Sequence, residues 1–186
     1  MIGRYGFWMG ISHGAIVLRS TTESDWPALR EFRIENATEH PISYGATRET
    51  TLGMDEAAWR MRAARGDRDD AGSYVAIEQT TGRWVGMMSC QLGDEYGAEP
   101  VLTGVYVSAE FRGRDLGVAD RLLDHVETYA SAFAPRLRLF VYEGSTPALR
   151  FYRRRGFTAT GRTAAEAMVA GGLLVEMSRS LRESIA

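Results

Sequence analysis

The chain has 186 residues, of which 45% are hydrophobic and 25% are charged, so it has the length and composition of one folded domain with a full hydrophobic core. Its formal net charge of -2 argues against a general nucleic-acid-binding protein, because such proteins carry a basic surface. The single Cys90 excludes an internal disulfide and a cysteine-based metal cluster, and with three scattered His the sequence predicts a cytoplasmic protein without a metal site.

The first half of the chain predicts a strand, two helices and two further strands. Residues 15 to 19 are apolar and β-branched, as in a strand, and a polar break then leads into a helix that ends near Asn36. A second amphipathic helix is predicted near residues 55 to 65, with Met54, Ala58, Met61 and Arg62 on one face. Strands over residues 74 to 79 and 84 to 92 follow, joined by a short hairpin turn.

The second half alternates strands with helices. A strand over residues 101 to 107 leads through a loop rich in Arg and Gly to an amphipathic helix from Val118 to Phe133. Next come a strand over residues 136 to 142, a short helix capped by Ser145 or Thr146, and strands at 157 to 160 and 173 to 177. This order predicts one α/β domain over residues 15 to 182, with a mixed, mostly antiparallel sheet around a central βαβ unit and helices on both faces.

The chain ends lie outside this predicted domain. Residues 1 to 14 contain no apolar run long enough for a signal peptide or a membrane span, and we interpret them as a loosely ordered extension. Residues 183 to 186 form a short tail. The apolar last strand and exposed sheet edges are compatible with a homodimer, and no membrane partner is expected.

The loop between the central strand and its helix has the features of an anion site. Backbone N–H groups at a helix start lack intrahelical partners, and the helix dipole adds partial positive charge there. Gly113 and Gly117 allow backbone to approach a ligand closely, while Arg112 and Arg114 add positive charge. The sequence therefore predicts that a phosphorylated ligand binds at this loop.

Two motifs resemble those of the GNAT superfamily of acetyl-CoA-dependent N-acetyltransferases. That family has Arg or Gln, two residues, Gly, one residue, and Gly or Ala in this loop; here Arg112 and Gly117 match, and Asp115 stands where the family usually has Gly. The second motif runs from Ser145, where Asn is usual, through Ala148, Tyr152 and Gly156 to Phe157. The resemblance covers roughly residues 15 to 180 and implies a sheet whose strands splay apart beside the βαβ unit.

The resemblance also implies how acetyl-CoA binds. The pyrophosphate would lie on the N–H groups of residues 112 to 118, and the pantetheine arm beside residues 105 to 107, where this strand and the strand at 136 to 142 diverge. The residues assigned to acetyl-CoA binding are Val105, Tyr106, Val107, Arg112, Gly113, Arg114, Asp115, Leu116, Gly117, Val118, Ala119 and Ser145. The carboxylate of Asp115 would repel the pyrophosphate, so binding should be weakened but retained.

Tyr152 resembles the general acid that protonates the departing CoA thiolate, and a backbone N–H near Val105 or Tyr106 would stabilise the oxyanion. Gly104 indicates either a bulge at this point or simple close packing. The base stays open: candidates are Glu143, Glu78, Glu95 and Glu99, or a chain of waters. The loop at residues 40 to 45 and the acidic loop at 94 to 99 are expected to flank the acceptor side of the cleft, where carboxylates would attract a cationic amine.

These inferences predict an N-acetyltransferase that moves an acetyl group directly to an amine of a small molecule or a peptide N-terminus. Two alternatives remain open. One is a domain of the same fold that binds acyl-CoA without turning it over, and the other is an interaction domain that binds no nucleotide.

Overall fold

A seven-stranded mixed sheet forms the centre of the computed structural model, which describes residues 14 to 181. The strands are β1 (Ile16–Ser20), β2 (Ala71–Glu78), β3 (Trp84–Asp94), β4 (Gly97–Val107), β5 (Arg136–Tyr142), β6 (Thr158–Ala165) and β7 (Leu173–Ser180). Their order across the sheet is β1-β2-β3-β4-β5-β7-β6. Each neighbouring pair is antiparallel except β4 and β5, which run parallel, so the predicted mixed and mostly antiparallel sheet is confirmed.

Six α-helices lie within the described residues: α1 (Trp26–Glu39), α2 (Pro41–Tyr44), α3 (Arg48–Leu52), α4 (Glu56–Ala63), α5 (Val118–Ser131) and α6 (Thr146–Arg154). Helix α4 begins where the Asp55 carboxylate accepts a hydrogen bond of 2.8 Å from the Ala58 N–H, which satisfies one orphan donor of the first turn. Helix α6 ends just before Gly156, whose φ of +83° is the left-handed conformation of a helix C-terminus. Helix α5 connects β4 to β5 and completes the predicted βαβ unit.

Two hydrophobic cores cover the sheet. The larger is built around α5, whose buried residues are Val118, Leu122, Leu123, Val126 and Ala130. The smaller joins α1 and α4 to the sheet through Leu29, Phe32, Trp59, Val75 and Tyr106. Because the two cores have different helices, the sheet carries helices on both faces, as the sequence predicts.

Several local predictions differ from the structure. Helices α2 and α3 were not predicted, and β6 continues to Ala165 where the sequence shows little periodicity. The apolar stripe predicted for α5 extends too far along the chain, because Phe133 lies beyond the end of the helix and is 50% exposed. In α4 the buried face is formed by Trp59 and Ala63, whereas Met61, which the sequence assigns to the apolar face, is 59% exposed.

The predicted extension and tail lie almost entirely outside the described residues. The last strand, β7, lies between β5 and β6 and is not a sheet edge; the edges are β1 and β6. This removes the apolar last strand as a reason for a homodimer, which stays a prediction. No helix within residues 14 to 181 is long and apolar enough to cross a membrane.

Candidate active site

The main cleft opens where β4 and β5 separate. Their parallel pairing consists of Val101 with Arg138 and Leu102 with Leu139, and beyond these pairs the two strands diverge. A cleft of about 490 Å³ fills the gap, lined by residues 102 to 105 of β4, residues 140 to 142 of β5, the chain from 39 to 43, and the start of α6. Because the facing strand edges no longer pair with each other, their backbone groups are available to a ligand.

A bulge at Gly104 shapes the β4 side of this cleft. The register with β3 shifts between the pairs Met87–Tyr106 and Ser89–Thr103, and Gly104 has a φ of +60°. The Gly104 carbonyl oxygen accepts a hydrogen bond of 2.8 Å from the buried guanidinium of Arg33. A Cβ at this position would lie 2.5 Å from the same Arg33 nitrogen, so glycine is required both for its backbone conformation and for space.

The direction of the next N–H follows from peptide geometry. The Gly104 carbonyl and the Val105 N–H belong to one trans peptide plane and point in opposite directions. Since the carbonyl points toward Arg33, the Val105 N–H points away from it, and Val105 itself lines the cleft. The bulge therefore turns one backbone donor of β4 away from the helix side of the sheet.

Tyr152 of α6 lies in the wall of the cleft and is 6% exposed. Its ring contacts Phe151 and Phe157 edge-on, with centroids 5.3 and 5.7 Å away. Burial raises the pKa of its phenol above the ordinary value. Within the described part of the chain its hydroxyl has no hydrogen-bond partner. Two unpaired side-chain atoms of the described residues are fully buried, Trp59 Nε1 and Thr103 Oγ1, and the Tyr152 hydroxyl is not one of them. The hydroxyl is therefore open to the cleft.

The loop between β4 and α5 presents unpaired amides. Gly113 and Gly117 have φ values of +107° and +60°, and Gly117 is the N-cap of α5. The first backbone hydrogen bond of this helix start runs from the Arg121 N–H to the Gly117 carbonyl. None of the hydrogen bonds between described residues is donated by the N–H groups of residues 113 to 120. The Arg112 N–H is bonded to Ala109, so the free amides begin one residue later than the sequence predicts.

Arg112 supports the loop from behind. Its Nε donates to the Val107 carbonyl at 2.7 Å, its Nη2 contacts the Glu39 carboxylate at 3.2 Å, and its guanidinium lies over the Tyr106 ring. Burial raises the pKa of the Tyr106 phenol, as do the carboxylates of Glu39 and Glu35, which lie 2.9 and 3.0 Å from its hydroxyl oxygen and compete for its one proton. The side chains of Arg112 and Tyr106 thus tie the loop to α1, and neither residue lines the main cleft.

The two residues that depart from the family motifs, Asp115 and Ser145, do not block the amide loop or the main cleft. Asp115 is exposed, and its carboxylate accepts no hydrogen bond from any described residue, so it does not occupy the amides of its own loop. Ser145 is the N-cap of α6 but makes no side-chain capping bond, and it lines the main cleft. Arg114 is exposed, whereas Leu116 and Ala119 are partly buried against the larger core.

A second pocket, of about 320 Å³, lies on the side of the sheet covered by α1 and α4. Ser43, Thr103 and Gly104 line both this pocket and the main cleft. The remaining lining residues are Leu29, Arg33, Gly45, Ala46, Met54, Arg62, Arg65, Met87, Ser89 and Gln91. The two spaces therefore share part of their lining at the bulge of β4.

None of the four glutamates predicted as candidate bases lines the main cleft. Glu78 closes the β2–β3 turn, where hydrogen bonds from Thr81 and Thr80 lower the pKa of its carboxyl to about 2. Glu143 accepts a hydrogen bond from the Leu173 N–H, and Glu99 contacts Arg138. The acidic groups that do line the cleft include Glu39, beside His40 at the end of α1.

The prediction that the acidic loop at residues 94 to 99 flanks the acceptor side is wrong. The loop lies at the far end of the β3–β4 hairpin, where Asp94 pairs with Arg138 at 2.7 Å. Arg138 is 4% exposed and also pairs with Glu176 at 2.7 Å. These carboxylates balance a buried cation, and neither pocket described above is lined by them. The predicted loop at residues 40 to 45, in contrast, borders both pockets.

Sequence reasoning missed the roles of Arg33 and Glu39. Arg33 follows Leu29 and Phe32 at helical spacing on the buried face of α1, and a cation within an apolar stripe is a signal that it has a buried acceptor. That acceptor is the Gly104 carbonyl, 71 positions away, and no local pattern identifies it. Glu39 carries no comparable signal, because in the sequence it is one of several charged residues near the end of a helix.

Comparison with known proteins agrees with this geometry. The model of the Acetyltransferase (GNAT) family matches residues 26 to 157, which contain the splayed strands, the amide loop and Tyr152. The chain therefore belongs to the acetyltransferase (GNAT) family, as its motifs predict. None of the curated proteins with which the sequence was compared is detectably similar to it.

Solved structures share the whole fold. A phosphinothricin acetyltransferase from Sinorhizobium meliloti, in complex with AcCoA, superposes with a TM-score of 0.72 at 18% identity, over 91% of this chain and 90% of that one. YncA of Salmonella typhimurium, a putative acetyltransferase with its cofactor acetyl-CoA, gives 0.71 at 17% identity, over 93% and 98%. An N-acetyltransferase from Staphylococcus aureus Mu50 gives 0.71 at 17% identity, over 91% and 100%. At these identities the likeness concerns the fold.

Proposed function

We propose that this protein is a cytoplasmic N-acetyltransferase that moves an acetyl group from acetyl-CoA directly to an amine. The observation that carries the proposal is the cleft between β4 and β5, because the open hydroxyl of Tyr152 and the unpaired backbone edge of β4 line the same space. Family membership supports acetyl transfer in general. The amine as acceptor is the step that we add.

The amides of residues 113 to 119 would hold the pyrophosphate of the donor. They lie at the start of α5, where the helix dipole favours an anion, and no described residue occupies them. The backbone of residues 105 to 107 would bind the pantetheine arm as a strand would, and Ser145 lines the opposite side. Acetyl-CoA in two of the structural neighbours supports this assignment by analogy of fold.

Two groups supply the chemistry at the thioester. The Val105 N–H, which the bulge turns away from Arg33, is the donor that would stabilise the tetrahedral oxyanion. Tyr152 would donate its proton to the CoA sulfur as the thiolate leaves, and its raised pKa keeps the phenol protonated until then. No covalent enzyme intermediate is needed. Cys90 is buried, its pKa is raised to about 12 by desolvation, and so it is a poor nucleophile.

The amine must lose a proton before it attacks. Glu39 supplies the carboxylate and His40 the imidazole among the described residues that line the cleft, so these two side chains are the groups able to accept this proton. Glu39 already accepts hydrogen bonds from Tyr106 and Arg112, which fix its carboxylate in place. We propose that this pair, directly or through water, receives the proton.

The rival function is a domain that binds acyl-CoA without turnover, and the absence of the four predicted glutamates from the described cleft favours it. One experiment separates the two. Purified protein is mixed with acetyl-CoA and a panel of amines, and thiol release is followed together with the mass of the acceptor. Acetylated amine at a catalytic rate supports the enzyme. Binding of acetyl-CoA with no acetylated product from any amine supports the rival.

A further inference from the structure

We propose that the acceptor is an amine that also carries a carboxylate or a similar oxyanion, as an amino acid does, and that the pocket beneath the β4 bulge holds the anion. This inference rests on the proposed function, since it names the substrate class of the same site. Three features of the second pocket support it: the charge of its lining, the unpaired hydroxyl of Thr103, and the lining residues that it shares with the main cleft.

The described lining of the second pocket is positively charged. Of its 13 residues, three are Arg and none is Asp or Glu. Arg62 is half-buried on α4 and donates a hydrogen bond of 3.2 Å to the Ala58 carbonyl of its own helix, a neutral partner. Arg33 is buried and donates hydrogen bonds to the Gly104 carbonyl and to Asn36. A cluster of guanidinium groups in a concave site favours an oxyanion.

Thr103 supplies an independent observation. Its Oγ1 is fully buried and has no hydrogen-bond partner among the described residues, although a buried unpaired hydroxyl costs about 1–3 kcal/mol. Thr103 lines both pockets. The hydroxyl is closed to both pockets as it stands, and a rotation of the Thr103 side chain at the junction would let it reach a polar ligand. The junction is therefore suited to the amine and the positively charged end to the anion.

The shared boundary of the two spaces would orient the substrate. Ser43, Thr103 and Gly104 form the shared boundary, and the Val105 N–H that would face the thioester follows directly in the chain. An amine at this boundary therefore lies next to the proposed oxyanion donor, while its anionic group extends toward Arg62. The volume of about 320 Å³ is at the small end of ligand pockets, which suits a molecule of amino-acid size.

The same charge disfavours polycations. Polyamines and aminoglycosides would place ammonium groups beside arginines, with no carboxylate in the described lining to offset the repulsion. The acidic loop at residues 94 to 99 does not line this pocket, and its Asp94 and Glu99 pair with Arg138. The pocket therefore favours an acceptor amine whose other charged group is negative over one whose other charged groups are positive.

The test compares matched acceptors. The common L-amino acids are assayed beside their carboxamides, with spermidine as a polycation, and acetyl transfer is measured as thiol release and product mass. We expect amino acids to be acetylated with a kcat/KM at least tenfold above that of the corresponding amides. Arg62→Gln should raise the KM for the best amino acid about tenfold or more and leave its kcat and the KM for acetyl-CoA within twofold.

Arg60→Gln is the matched control, because Arg60 lies on the same helix but pairs with Glu56 and Glu23 outside the pocket. It should behave as wild type. The Arg62→Gln change should leave the KM for the amide unaltered, and Arg62→Lys should restore part of the affinity for the acid. A purely structural role for Arg62 would instead impair both acceptors alike.

Binding is measured in parallel by calorimetry, with the amino acids titrated into protein saturated with CoA. Acetylation of amides or spermidine as efficient as that of amino acids would overturn the inference and leave the proposed function intact. If no amine is acetylated, the proposed function fails by itself. The inference about the pocket then stands if an amino acid binds wild type and Arg60→Gln but not Arg62→Gln, and it falls if none binds.

Discussion

The Arg33 guanidinium donates to the Gly104 carbonyl across 2.8 Å, and this one contact joins the middle of α1 to the bulge of β4. It holds the strand in a conformation with φ of +60° and thereby sets the direction of the Val105 N–H. The charged guanidinium of Arg33 is buried where it makes this contact. A contact of this kind predicts that the bulge is sensitive to any atom added at position 104.

Replacing Gly104 with Ala should destabilise the protein by about 3 kcal/mol, from left-handed backbone strain and from the displacement of Arg33. Gly82→Ala is the control, since Gly82 has a similar φ of +72° but open space around its Cβ position. It should cost about 1–2 kcal/mol, the backbone contribution alone. Urea denaturation of the two variants measures the difference. Equal losses would show that Arg33 does not crowd this position.

Tyr152→Phe should lower kcat about 100-fold and leave the KM for acetyl-CoA unchanged, because the hydroxyl would act only as the thiolate leaves. Its thermal midpoint should match that of wild type, since the hydroxyl has no partner in the described structure to lose. Tyr129→Phe is the control: that hydroxyl donates to the Asp69 carbonyl and lies outside the cleft. Steady-state kinetics with saturating acceptor make the comparison. An unchanged kcat would remove Tyr152 from the mechanism.

Asp115→Asn should strengthen acetyl-CoA binding by about threefold to tenfold at low salt, because it removes an exposed carboxylate beside the amides proposed to hold the pyrophosphate. The gain should shrink as salt is added, since exposed charges are screened. Asp69→Asn, another exposed carboxylate, should leave the affinity unaltered. Calorimetric titration at two ionic strengths is the measurement. Tighter binding by the wild type would place the diphosphate elsewhere.

The Glu78 carboxyl gives a dependence of stability on pH. Hydrogen bonds from Thr81 and Thr80 lower its pKa from 4.5 to about 2, so the folded state favours the carboxylate. This stabilisation is fully present above pH 4.5 and is lost as the pH falls toward 2. Glu78→Gln should therefore destabilise the protein at pH 6, and the difference from wild type should narrow below pH 4. Denaturation at several pH values checks this, and a difference that stays constant would contradict it.

Much of the fold could be predicted because its elements follow simple patterns. Helix α5 has a regular apolar stripe, β5 alternates polar and apolar residues, and the amide loop lies between a strand and a helix start. Helices α2 and α3 have only four and five residues, too few for a period to be recognised. The stripe of α4 was misassigned because a helix of eight residues offers barely two turns for comparison.

The candidate site was predicted in part. Tyr152 and the glycines of the loop could be proposed as site residues because their motifs are local in sequence. The acceptor side depends on contacts between distant residues, such as Arg33 with Gly104 and Arg138 with Asp94. Whether a carboxylate attracts a substrate or neutralises a buried arginine is decided by its partner, and that partner lies 44 positions away for Asp94.

Helix α1 contacts both the bulge of β4 and the loop between β4 and α5. Its middle holds β4 at the bulge, through Arg33, and its last turn holds Arg112 at the root of the loop before α5, through Glu39. A substitution that shifts this helix of fourteen residues would therefore disturb the strand and the loop together.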